Sequence, residues 1–367
     1  MNPANYFKIV DRYIIRKYVY TFLFVLFLFS LVSVVFDLSE KIEKFLSKDL
    51  TTWYIIKAYY FNFIPWIHSL LFPLYALITV TFFTSRMAGQ TEIIPMLGAG
   101  MSFNRLLWPF LFSGALFTGL HLAGNHYFIP KSNKSLRTFD NTYIKPGNIK
   151  SRDRNVHLFV AKDVAAFLRH YQSSDSSGLD FQMEQYEGEK IVRILKARSI
   201  KWKAEPNRWT LKDYEIRTIT DSTEKLEVFA GASQDTAINL FPSDFVFVSN
   251  EKEMLTTPEL RKFIRRETEK GSGITKPYEI ELYRRTADSF TTLILTFIGT
   301  CIASRKVRGG LGLHLAAGVV LGVIFIFLSK MSLAFASNEM LHTGIAIWIP
   351  NLIFLGIGFI LLKKAQK

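Results

Sequence analysis

Lys190–Lys203 reads KIVRILKARSIKWK, a run that alternates rather than repeating at helical spacing. Ile191, Arg193 and Leu195 fall on one side of an extended chain, and Val192, Ile194 and Lys196 on the other. That is the period of two a strand requires. Trp209–Ile219, WTLKDYEIRTI, repeats the pattern, with Trp209, Leu211, Asp213 and Glu215 opposing Thr210, Lys212, Tyr214 and Ile216. Turn chemistry at Ser173–Gly178, Glu187–Gly188 and Glu205–Asn207 separates such runs. Residues 150–235 therefore read as several short strands, which predicts an all-β sandwich or a jelly-roll-like sheet. The pattern alone also fits a small barrel.

What flanks this stretch sets its meaning. Three apolar runs precede Pro130 and three follow Lys276. Each approaches or exceeds the roughly 20 residues a helix needs to cross a bilayer core. They are Tyr18–Phe36, Ala58–Ser85 (interrupted by Pro65 and Pro73), Leu106–Ile129, Thr286–Ser304 with Asp288 near its outer end, Leu311–Ser329 and Leu341–Leu362. The expected architecture is a membrane α-helical protein of six transmembrane helices, 3 + 3, with an inserted all-β, jelly-roll-like domain. Residues 1–129 form the first half, 130–275 the insert and 276–367 the second half.

Basic residues give the direction. Arg12, Arg16 and Lys17 precede the first span, and Arg86 and Arg105 lie between the second and third. Arg305, Lys306 and Arg308 lie between the fourth and fifth, and Lys363, Lys364 and Lys367 close the chain. All fall on one side, which the positive-inside rule makes cytoplasmic. Both termini are then expected in the cytoplasm and the insert on the outer side of the membrane. The first span reads as a retained helix rather than a cleaved signal, because Val32–Ser39 offers no small-residue cleavage site.

Composition agrees: 49% of residues are hydrophobic and 33 are Phe, which suits a bilayer better than a water-soluble core. The net charge is +14; residues 131–275 carry 25 Lys/Arg against 21 Asp/Glu, so most of the excess flanks the spans. That placement points to membrane orientation and lipid headgroups rather than to nucleic acid. The one cysteine, Cys301, lies in an apolar run, so a disulfide or cysteine-based zinc site is excluded. His68, His121, His126 and His314 lie in or beside spans without metal-ligand spacing and read as structural.

The loop between the second and third spans is the most informative short stretch. Arg86 to Ser102 reads RMAGQTEIIPMLGAGMS, a short amphipathic segment ending in small residues. Gln90 or Thr91 can start a helix there, about residues 88–101, with Glu92 in its first turn. Such a helix docks in a groove on a soluble partner or lies flat at the membrane surface. After the strands, Thr257 as cap, Pro258 and Glu259 predict a connector helix to about Lys270, ended by Gly271-Ser272-Gly273. Gly318 and Gly322 form G-x-x-x-G in the fifth span, which lets a helix approach closely, either a partner subunit's or one of this chain's own. No G-x-x-x-x-G-K-[ST] occurs; Gly271 to Lys276 lacks the spacing.

In order and spacing these segments resemble one family. Glu92–Ser102 resembles the cytoplasmic coupling helix of the lipopolysaccharide export permeases LptF/LptG (YjgP/YjgQ). Thr256–Leu260 resembles the family's segment after its jelly roll, Tyr278–Ala287 its lead into the fourth span, Ser304–Gly310 its second cytoplasmic loop and Ile347–Phe354 its last-span signature. Where the family has a proline just after the position of Ala287, this chain has Asp288-Ser289.

The resemblance implies an inner-membrane ABC-exporter half that moves lipopolysaccharide from the outer leaflet of the inner membrane toward the outer membrane. It implies a second LptF/LptG-like permease, an LptB-like ATPase carrying the ATP and Mg, and LptC-like and LptA-like periplasmic proteins. No cofactor is implied in this chain. Coupling to the ATPase would fall to Glu92, Ile93, Met96, Gly98, Gly100 and Ser102. The anionic substrate headgroup would need cations near the outer boundary: Lys41, Lys44, Lys57, Lys131, Lys134, Arg137 and Lys330. Charge reversal at Lys41, Lys131 and Lys134 is then expected to weaken lipopolysaccharide crosslinking. Two other readings stand beside this one. A periplasmic scaffold would not need the segment around Glu92. A membrane enzyme would need a nucleophile or poised carboxylate cluster, and none is legible.

Overall fold

The computed structural model describes residues 9–145, 149–151, 153–220, 222–248, 250–305, 307 and 310–365. Among these described residues six helices are long and apolar enough to cross a membrane: Ile9–Leu46, Thr52–Gly89, Phe103–Ile144, Lys276–Ala303, Gly310–Ser337 and Thr343–Ala365. They are called the first to sixth spans below. An apolar run in lipid must satisfy its backbone internally, so each of these runs becomes a helix. The 38 residues of the first span reach about 57 Å, well beyond a core of about 30 Å. Its ends therefore carry charge outside the apolar layer. Lys306, Arg308 and Gly309 of the loop before the fifth span, and Lys367, lie outside the described residues.

The chain divides into two compact units. One combines the stretches up to Ile144 and from Pro277 onward with the short segment Lys252–Pro258; the other is Lys145–Glu251 with Glu259–Lys276. The third helix runs on to Ile144, past the boundary expected at 129. Residues 130–144 continue it because Leu136, Phe139 and Ile144 bury against Phe45, Tyr59, Tyr60 and Phe63. Wide π turns at Ile55–Tyr60, Gly124–Phe128 and Asp140–Ile144 interrupt the second and third spans.

Lipid is as apolar as leucine, so small residues and hydrogen bonds hold these helices together. The fourth span is the hub: 72% of its most apolar window is buried, against 11% in the first and 22% in the fifth. Its Thr296 hydroxyl pairs with Tyr18 of the first span at 2.8 Å. Thr291 donates to Asn351 Oδ1 of the sixth span at 2.8 Å, and Asn351 Nδ2 donates to the Ala287 carbonyl at 2.8 Å. A Cβ on Gly299 would stand 2.5 Å from Val80 Cγ1, so that glycine is what lets the second and fourth spans meet.

The second unit is built on antiparallel strands, as the alternating pattern requires, with most of one helix after them. Six antiparallel strands run in chain order: β2 (Arg154–Ala161), β3 (Val164–Gln172), β4 (Ser177–Glu187), β5 (Lys190–Lys203), β6 (Arg208–Ile219) and β7 (Glu224–Thr236). A separate ladder joins β1 (Ile149–Ser151) to β8 (Val246–Val248). In β5 and β6 the inward residues are Leu195, Ala197, Ile200, Trp209, Leu211 and Tyr214, packed under Ile238, Leu240 and Phe245. Trp209 is fully buried, and its indole N–H donates to the Leu240 carbonyl at 2.9 Å, so its one polar atom is satisfied. A helix after the strands occupies Thr257–Lys270. Its buried Lys270 donates to Asp244 at 2.8 Å.

Candidate functional site

The loop after the second span contains a single short helix, Ile93–Gly98. It starts later than Gln90 or Thr91 because Thr91 takes a left-handed turn at φ 59° and Glu92 N–H bonds back to the Met87 carbonyl. Gly100 at φ 87° turns the chain out again. The Ser102 hydroxyl then caps the third span by accepting from Arg105 N–H at 3.3 Å.

Two charge pairs tie this loop and the start of the third span to the first span. Lys17 donates to both oxygens of Glu92 at 3.2 Å, and the Tyr13 hydroxyl donates to Oε2 at 2.8 Å. Arg105 forks onto Asp11 at 2.8 and 2.5 Å, and Asp11 is almost fully buried. Both pairs are the bidentate or charge-assisted kind that fixes orientation. Glu92 is thus held within the chain, a partner arrangement its sequence neighbourhood does not reveal.

Only part of the short helix faces outward. Ile93 is buried in the membrane core cluster and Met96 packs on that cluster, so these two anchor the helix rather than present it. Ile94 and Leu97, which the sequence reading passed over, are exposed at 54% and 36%. A Cβ at Gly98 or Gly100 would meet nothing within 4 Å, so that end of the loop is open. The result is a small exposed apolar surface, led by Ile94 and Leu97, on a base held by two ion pairs.

The cations chosen for a substrate headgroup divide into two groups. Lys41 donates to Asp37 at 2.6 Å, also bonds the Tyr59 hydroxyl, and lies over the Tyr59 ring at 4.7 Å. Arg137 sits 3.6 Å from Glu253 and 3.9 Å from Asp140, with its guanidinium over Trp66. These two are engaged in their own unit. Lys44, Lys57, Lys131, Lys134 and Lys330 are exposed. Lys131 and Lys134 lie on the extension of the third helix, and Lys330 opens onto a cleft of about 140 Å³ shared with Arg284, Asp288 and Asn351.

The approach to the fourth span is pinned by a buried ion pair. Arg285 donates to Glu281 at 3.1 Å, to the Thr257 hydroxyl at 3.3 Å and to the Lys252 carbonyl at 3.0 Å. His126 Nδ1 lies 2.8 Å from the same hydroxyl, so Thr257 serves this junction as well as starting its helix. At Asp288-Ser289 the helix is unbroken: Ser289 donates to the Arg285 carbonyl at 2.8 Å, and Asp288 lies 3.9 Å from Arg284. The other membrane histidines also have polar neighbours, His68 at Ser30, His121 at the Ser69 carbonyl and His314 at Ser85. Among the described residues no group of three or more His, Cys, Asp or Glu side chains is placed to hold a metal ion. Gly318 and Gly322 pack within the chain: a Cβ would stand 3.3 Å from Thr81 Oγ1 and 2.9 Å from Leu74 Cδ2 of the second span.

With this geometry in place, comparison with known proteins adds one finding. The sequence model of the family described as "Lipopolysaccharide export system permease LptF/LptG" matches residues 12–364, nearly the whole chain. A comparison with curated proteins returns no match.

Proposed function

The chain belongs to the LptF/LptG family of lipopolysaccharide export permeases, and from that premise we propose that it is one half of an ABC exporter powered by a separate ATPase. As a family member with six spans it is a multi-pass inner-membrane protein with a permease role. The finer reading places both termini and the Ile93–Gly98 loop in the cytoplasm and the β unit in the periplasm. ATP and Mg are bound by an LptB-like partner. A second LptF/LptG-like chain completes the membrane part, and LptC-like and LptA-like proteins receive the lipopolysaccharide.

The observation that carries this reading is the outward pair Ile94 and Leu97 on a base fixed by Glu92–Lys17 and Asp11–Arg105. An exposed apolar pair on a short rigid helix suits a groove on a soluble partner. A force-transmitting contact also needs a base that does not yield, and the two ion pairs supply one. The first and fifth spans, the least buried, leave the most side surface for a second membrane subunit. Of the headgroup candidates, Lys44, Lys57, Lys131, Lys134 and Lys330 are the exposed ones and would meet an anionic headgroup.

The test is purification of the tagged full chain in mild detergent, with mass spectrometry of all bound proteins and lipids. A soluble ATPase, a second six-span subunit and lipopolysaccharide are expected. Ile94→Asp with Leu97→Asp is expected to release the ATPase while keeping the membrane partner. Recovery of periplasmic proteins alone, with no ATPase in the wild type, would favour a scaffold instead. Retention of the ATPase by the double variant would remove this surface from the proposal.

A further inference from the structure

We propose that a cleft between the first and second spans, at the end bearing the Ile93–Gly98 loop, binds the phosphate headgroup of an anionic phospholipid. The cleft measures about 500 Å³ and is lined by Tyr13, Arg16, Lys17, Tyr20, Phe82 and Arg86 among others. It brings three cations together, and no carboxylate lines it. Among the described residues neither Arg16 nor Arg86 has a carboxylate partner, and both are exposed. Lys17 is shared, since it also holds Glu92.

The aromatic rings are arranged as a lipid site requires. Arg16 lies over the Tyr20 ring at 5.4 Å and Lys17 over the Tyr13 ring at 4.4 Å, which holds both cations at the mouth. Tyr20, exposed at 61%, is a tyrosine of the kind that sits at headgroup level, while the Tyr13 hydroxyl is held by Glu92. Beyond Tyr20 the same stripe of the first span continues through Phe24 and Phe27, exposed at 63% and 66%. A phosphate held by the two guanidinium forks of Arg16 and Arg86, beside a Lys17 already engaged by Glu92, would leave its acyl chain along that stripe. Arginine forks match phosphate oxygens in pairs, which a diffuse basic surface does not.

This inference is independent of the export reading, because it rests on the spans and their charges alone. Its chemistry is that of a phosphate monoanion or diester, so the experiment separates a lipid from free phosphate. The detergent-purified full chain would be exchanged into mixed micelles of phosphatidylglycerol and phosphatidylcholine, and retained lipid counted by native mass spectrometry. Wild type is expected to retain phosphatidylglycerol preferentially. Arg16→Gln with Arg86→Gln is expected to lower that preference roughly thirtyfold, the effect of two interfacial arginines.

Arg12→Gln with Lys363→Gln removes the same charge outside the cleft and is expected to change little. Equal loss in the two double variants would mean diffuse attraction and overturn the site. So would the absence of a preference in the wild type. Displacement of the lipid by inorganic phosphate, with phosphate itself retained, would assign the cleft to the free ion and overturn the lipid. Unchanged lipid retention in Arg16→Gln/Arg86→Gln, with loss of a co-purifying protein, would make the cleft a protein contact instead.

Discussion

Reversing Glu92 tests whether the loop acts through its anchoring or through direct contact. Glu92→Lys would replace an attraction by a repulsion between two ammonium groups. The Lys17–Glu92 pair is one-quarter to one-third exposed. Screening limits it, with the Tyr13 hydroxyl, to about 1–2 kcal/mol. Two like charges pushed to about 6 Å at an interface repel by roughly 1–3 kcal/mol, between the water and protein-surface dielectric limits. The swing is then about 3 kcal/mol, or roughly a hundredfold in the population of the docked loop. The Asp11–Arg105 fork is untouched, so the third span stays in place.

Lys17→Glu combined with Glu92→Lys restores the pair with its ends exchanged. Two readouts follow: amide hydrogen exchange across residues 93–98, and ATPase retained by the tagged chain. Glu92→Lys should raise exchange and release the ATPase, and the swap should recover most of both. If Glu92→Lys released the ATPase with unchanged exchange, and the swap recovered nothing, Glu92 would be touching the partner itself. The positioning argument would then be wrong.

Two glycines are expected to respond with opposite sign. Gly299→Ala would place a Cβ 2.5 Å from Val80 Cγ1 and 3.0 Å from Thr81 Oγ1. Overpacking of that kind costs about 1–3 kcal/mol, read as an earlier unfolding midpoint in detergent. Gly119→Ala, where a Cβ meets nothing within 4 Å, should instead gain about 0.5–1 kcal/mol from helix propensity. Equal midpoints for the two variants would refute the helix contact at Gly299. For the substrate, Lys131→Glu with Lys134→Glu should weaken lipopolysaccharide crosslinking at unchanged stability, whereas Lys41→Gln should lower stability first, because it strands Asp37. Normal crosslinking in the Lys131/Lys134 variant would remove those two from the headgroup face.

The six spans and the strand insert were legible because hydropathy and alternation are properties of neighbouring residues. Trp209 and Leu211 could be placed on one face of β6 from their own run, but strict alternation puts Tyr214 on the other face; it joins them because the register shifts between Lys212 and Tyr214, at Asp213 with φ 49°. What covers them, Ile238 to Phe245, could not be read from the run. The extension of the third helix to Ile144 was hidden for the same reason. Lys131, Lys134 and Arg137 make that stretch look like loop, and the aromatic surface it buries comes from residues 45–63. The short loop helix was legible as a helix but not as a direction. Only the tertiary contacts decide that Ile93 points inward and Ile94 outward. Gly299 carries no motif at all, so its role emerges only when Val80 is beside it. Gly318 and Gly322 did carry one, and their spacing left open the identity of the opposing helix.

Cations show the same limit more sharply, and the limit bears on substrate recognition. A sequence counts Lys41 and Lys131 alike. In the fold Lys41 neutralises Asp37, a carboxylate only 9% exposed, and also meets the Tyr59 hydroxyl. Recruiting Lys41 to an external phosphate would leave that carboxylate buried and unpaired, a cost of about 3–5 kcal/mol for a fully buried pair. Arg285, buried against Glu281 and Thr257, is committed more completely still. Lys131 and Lys134 surrender only hydration when they meet an anion. An external phosphate is therefore drawn to the exposed cations, and the engaged ones hold the helices that carry them. By this argument headgroup affinity should scale with charge at Lys44, Lys57, Lys131, Lys134 and Lys330, and integrity of the helix junction with charge at Lys41, Arg137 and Arg285.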